Sequence, residues 1–230
     1  MNHSAFKAVI AGSIFGIYAV ANTALAVTVA PGTTVSLPGT TVAADPSLAG
    51  TVLVDVLDNF SLPATQGVGA ATISGVVQER VVQETGSGDL DFYWRIYDVT
   101  GGSLGFLRIG NFNSSVFDAN YRTDGLGSVG PTSISRFSGS LSSYANFNFE
   151  NASGDTLPAG GDGSYFFFLH TTATQYAQNA VFDIASFGTY TASSEFAAYS
   201  PLPFPASAWL MLSGLVGVGV VVRKRRGIAV

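Results

Sequence analysis

Through the body of the chain, apolar residues recur at every second position, the period of a strand with one face buried. Val52, Val54 and Val56 alternate with Leu53, Asp55 and Leu57. The clearest case is Asp89 to Val99, where Leu90, Phe92, Trp94 and Ile96 face one way. Asp91, Tyr93, Arg95 and Tyr97 face the other, as a solvated strand face would. Ala145, Phe147 and Phe149 alternate with Asn146, Asn148 and Glu150. Tyr165 to Leu169 is apolar on both faces, which predicts a central strand between two layers. Glycine-rich turns separate the runs at 86–88, 101–103, 124–125 and 160–163. No body segment carries a convincing helical period. The expectation is an all-β fold, an antiparallel, jelly-roll-like β-sandwich of roughly 8–11 strands. Val27–Val29 and Thr33–Leu37 read as edge strands or an extended arm, and residues 192–200 as a linker.

Both ends break the alternation. Lys7 precedes an apolar stretch from Ala8 to about Ala21, and Ala24-Leu25-Ala26 places small residues where a signal peptidase reads. This predicts a signal peptide over 1–26, cleaved after Ala26, with the sandwich over 27–191. At the other end, Ala206 to Val222 carries no charge. As a helix it would span about 26 Å, a transmembrane length once Phe204, Trp209 and Arg223 sit at the interfaces. Arg223, Lys224, Arg225 and Arg226 form a basic stop that stays cytoplasmic.

The stop is preceded by the helix, and the helix by Pro201, Leu202, Pro203, Phe204 and Pro205. Proline motif, span and basic stop in that order resemble the PEP-CTERM family of sorting signals. The nearest variant reads Val-Pro-Leu-Pro-Ala; here Ser200 replaces the Val, and Phe204-Pro205 intervenes before the Ala. The resemblance covers residues 201–230. It implies recognition by an exosortase-type membrane transpeptidase, which would cut near the proline motif and pass the body to a surface acceptor. It also implies a Gram-negative, exopolysaccharide-making cell, with the product at the surface or in the matrix. Gly88 to Tyr93 and Tyr121 to Gly127 loosely resemble the body of many such proteins, which brings no chemistry with it.

Charge sharpens this picture. All 15 acidic residues lie between Asp45 and Glu195, whereas the body holds five arginines and no lysine. Its net charge of −10 disfavours nucleic acid and anionic membrane surfaces as partners. There is no cysteine, so thiolate metal sites and a cysteine nucleophile are excluded. Stability has to come from burial, with 17 phenylalanines as the main supply.

Candidate chemistry is sparse. His170 is the only histidine left after signal removal, and there is no Gly-x-Ser-x-Gly elbow, so it reads as a structural or surface histidine. Asp89 and Asp91 stand two apart, a carboxylate pair in principle and a solvated strand face otherwise. The loop from Asp155 to Asp162 offers oxygen donors and glycines for Ca²⁺ but lacks EF-hand spacing. Asp118, Asp124 and Asp183 add ligands only if the fold gathers them. Tyr93 and Tyr97, with Tyr121, Tyr144, Arg95 and Arg122, form a possible glycan face, or plain cross-strand pairs. The expectation is a non-enzymatic, cofactor-free protein with a structural or adhesive role linked to exopolysaccharide or biofilm. The alternatives are a carbohydrate-binding module on the same scaffold and an envelope hydrolase.

Overall fold

The computed structural model describes residues 25–62, 72–112, 114, 116–150, 156–186 and 191–202. Ala24, Asp155 and the tail from Pro203 through Arg226 therefore lie outside the described residues, and so does the expected span 206–222. Among the described residues, no helix is long and apolar enough to cross a membrane.

The described strands are β1 Val27–Thr28, β2 Thr34–Ser36, β3 Gly50–Leu62, β4 Ile73–Glu84, β5 Leu90–Thr100 and β6 Leu104–Gly110. Then follow β7 Asp118–Arg122, β8 Ser133–Arg136, β9 Ala145–Asn148, β10 Phe166–Thr171, β11 Tyr176–Ser186 and β12 Phe196–Pro201. They form two six-stranded sheets, ordered β1-β7-β10-β5-β4-β3 and β12-β11-β6-β9-β8-β2. All pairings between these strands are antiparallel. One core takes its rings from both sheets. Phe167 of β10 meets Phe147 of β9 at 4.6 Å between ring centres, and Trp94 of β5 lies 6.4 Å from Phe147. Interdigitation of two inner faces is what makes this an all-β sandwich.

The N-terminal arm clamps both layers. β1 pairs with β7 at one edge, and β2 pairs with β8 at an edge of the other sheet. Buried Arg136 holds the arm, donating to the carbonyls of Val29, Ser114 and Ser142 and lying 4.4 Å over the Phe117 ring.

β10 is central in its sheet, between β7 and β5, as its two apolar faces predict. Phe167 and Leu169 enter the main core. Phe166 and Phe168 enter a second, outer cluster with Leu48, Val82 and Tyr93, against which Ala26 and Val42 pack. The cover is the segment after β2. It is pinned by Thr40 N–H to the Tyr121 carbonyl at 2.8 Å and by the Thr123 N–H back to the Thr40 carbonyl at 2.8 Å. A short 3-10 turn over Pro46–Leu48 then carries Leu48 onto the sheet.

Two expectations are corrected here. The β5 face carrying Asp91 and Tyr93 is not solvated: Asp91 is 0% and Tyr93 4% exposed, and Leu48 and Val42 of the segment after β2 pack over Tyr93. The stretch read as a linker, 192–200, contains most of β12, which pairs with β11 from Phe196 to Pro201. Phe196 stacks on Phe182 at 5.1 Å, and Ser200 donates to Asn179 Oδ1 at 2.6 Å. Pro201, the first residue of the proline motif, is buried in the sandwich.

Candidate functional site

The outer face of the first sheet gathers most of the residues singled out from sequence. Register alone sets its rows. Val82 of β4, Asp91 of β5, His170 of β10 and Asp118 of β7 stand side by side across four strands. One row further in stand Arg80, Tyr93, Phe168 and Asn120. Beyond them, Phe166 is opposite Arg122. The face is therefore acidic at one end, apolar in the middle and arginine-rich at the other.

At the acidic end, His170 Nδ1 lies 2.8 Å from Asp91 Oδ1 and 3.1 Å from Glu84 Oε1. Glu84 is the last residue of β4 and Asp91 the second of β5, so the 85–89 hairpin turn brings them together. Ser87 donates to Glu84 Oε2 at 2.5 Å and Tyr93 to Asp91 Oδ2 at 3.3 Å. Burial pushes both carboxyls above their ordinary range, opposed in Asp91 by the His170 hydrogen bond. The Asp91 hydrogen bond outweighs the desolvation of His170, and with the charges of Asp91, Glu84 and Asp118 it raises the imidazole to about 9. His170 is thus half of a histidine–carboxylate arrangement. Among the described residues, no serine hydroxyl is hydrogen-bonded to it. Sequence pairing of Asp89 with Asp91 missed Glu84. The Gly86-Ser87-Gly88 turn was the signal that could have placed Glu84 beside them.

At the arginine end two hollows meet at Leu126, which is 61% exposed. The first, of about 430 Å³, is floored by Tyr93 and Phe166 and walled by Val42, Leu48, Arg80 and Arg122. Arg80 lies 4.6 Å over the Phe166 ring and pairs with Asp55 at 2.9 Å. The second, of about 450 Å³, is lined by Arg95, Tyr97, Asp98 and Asp162. Arg95 lies 4.7 Å over the Tyr97 ring and donates to the carbonyls of Ser164 and Asp162. The ridge between the hollows is held by Asp124, which accepts from Arg122 Nε and from the Val42 N–H, both at 2.8 Å. Glycine is required beside it: Gly127 has φ of +108°, and a Cβ there would lie 2.1 Å from the Ser164 carbonyl oxygen.

The fold separates the other candidates. Tyr93 is buried beneath the first hollow while Tyr97 lines the second, so they do not make one exposed strip. Tyr121 stacks on Tyr165 at 5.8 Å, and Tyr144 packs against Gly110 of the other sheet. Asp162 is exposed, Asp124 holds Arg122, and Asp183 holds Arg108 across β11 and β6. Among the described residues, Asp124, Asp162 and Asp183 are not drawn together into a cation site. Compared with known proteins, the chain matches no family model, no curated protein and no solved structure.

Proposed function

We propose that this chain is an exported surface protein whose β-sandwich has a structural or adhesive role in the exopolysaccharide matrix of a Gram-negative bacterium. Its precursor is held in the inner membrane by the helix over 206–222 after a signal peptidase removes residues 1–26. An exosortase-type transpeptidase then cuts near the proline motif and passes the body to a surface acceptor. The sandwich is taken as jelly-roll-like because the chain crosses between sheets after β1, β2, β5, β6, β7, β9 and β10.

The observation that carries this reading is the order of parts at the end of the body. β12 ends on Pro201, the first residue of the proline motif, Leu202 is 37% exposed, and in the sequence the rest of the motif, the apolar stretch and the basic residues follow without a break. Prolines hold the backbone extended and out of helix, the form a processing enzyme reads. Mass spectrometry of the mature protein from native cells tests it, beside a Pro203→Ala, Pro205→Ala variant that leaves β12 intact. Loss of residues 1–26 and of the basic tail from wild type, with the tail retained in the variant, is the expected result. Wild-type protein that keeps Val230 would reduce the segment to a plain anchor.

The paired hollows favour a second reading, a carbohydrate-binding module on the same scaffold. Planar guanidinium groups beside aromatic rings suit the alternating polar and C–H faces of a sugar. A glycan-array signal lost in Tyr97→Ala and in Leu126→Asp supports this role; a signal indifferent to both changes removes it.

A further inference from the structure

We propose that Glu84, Asp91 and His170 form a binding site for a first-row divalent cation of the Zn²⁺ type. One potential ligand atom from each of Glu84, Asp91 and His170 lies within 4.8 Å of the other two. Ligand atoms on a tetrahedral ion at about 2.0–2.2 Å are separated by roughly 3.3–3.6 Å. His170 Nδ1 stands 2.8 Å from Asp91 Oδ1 and 3.1 Å from Glu84 Oε1, close to that spacing.

Hydrogen bonding supplies an independent argument. Nδ1 carries at most one hydrogen, and Asp91 Oδ1 is the nearer acceptor. Among the described residues, Glu84 Oε1 has no hydrogen-bond donor, although the Glu84 side chain is only 4% exposed. A buried carboxylate oxygen without a donor is costly and rare, and it points at the same nitrogen as Asp91.

Charge agrees. Two carboxyl groups stand together in a buried place, with Asp118 next in the row. Two carboxylates, a neutral imidazole and a divalent ion sum to zero. The donor set of one imidazole and two carboxylates selects zinc-like ions over Ca²⁺, which takes oxygen alone. The His170 side chain is 24% exposed, leaving a path in and room for water as a further ligand. The site is separate from the sorting signal and stands or falls without it.

After loss of residues 1–26, His170 is the only histidine, so the experiment has one reporter. The exported chain, ¹⁵N-labelled and kept in detergent, is titrated with Zn²⁺ while its imidazole signals are followed by NMR and the affinity by calorimetry. One equivalent is expected to shift the Nδ1 signal and to bind with Kd of about 1 μM or tighter. Glu84→Gln and His170→Gln each weaken binding by at least about tenfold. Imidazole signals unmoved by one equivalent would overturn the site, as would equal affinity in both folded variants. Should either variant fail to fold, the wild-type imidazole shift alone decides.

Discussion

Glu79 is the residue at which chemistry and fold conflict most. It follows Val77 and precedes Val81 on the inward phase of β4, and it is 0% exposed. Burial pushes its carboxyl up to about 8. The Tyr199 N–H, donating to Oε1 at 2.9 Å, opposes that shift; the charge of Asp58 adds to it. The folded protein therefore keeps a proton that the unfolded chain gives up above pH 4.5. Stability is full at low pH and falls as pH rises toward about 8, by up to about 5 kcal/mol. The raised carboxyls of Glu84 and Asp91 and the raised imidazole of His170 bend stability the same way. Urea midpoints should drop between pH 5 and pH 8.5, and Glu79→Gln should make that drop shallower without abolishing it. A midpoint that rises with pH contradicts this assignment. An acid on the apolar phase of a strand is visible in the sequence; that β12 would bring it a backbone donor is not.

At the scale of elements, alternation made the long strands legible. Asp89 to Val99 became β5 with a shift of one residue at each end, and Tyr165 to Leu169 became the central β10. β12 was illegible because Ala197, Ala198 and Ser200 are small and carry little hydrophobic signal. It is a strand because β11 lies beside it, and a register shift between Ala177 and Ala180 lets the two stay paired. Removing it should matter as a linker would not. A chain ending at Leu202 is expected to keep a cooperative thermal transition. One ending at Glu195 exposes Phe182 and Tyr176, strips Glu79 of its donor, and should melt at least about 10 °C lower or aggregate. Equal melting of the two truncations would return 196–200 to the status of a spacer.

For the whole molecule, class was easier to read than arrangement. A period of two and glycine turns imply a sandwich, whereas strand order depends on pairings between distant segments. β10 meets β5 across some 75 residues, so nothing local shows that His170 will face Asp91. Nor does any local pattern show that residues 40–49 fold over the face carrying Tyr93, which turned an expected wet strip into a floor. On the proposed reading, the same burial of β12 would also constrain the geometry of the precursor. Only residues 203–205 separate Leu202 from the expected span, a leash of about 10 Å at full stretch whatever their conformation. A body of this size has a radius of gyration of roughly 16 Å. On the proposed reading, that leash is shorter than the body's own radius, which would hold the sandwich against the bilayer and shade the cleavage point beneath it. An enzyme reaching that point would then have to slide under the folded domain, making clearance above the membrane, as well as the proline motif, a condition for the proposed release.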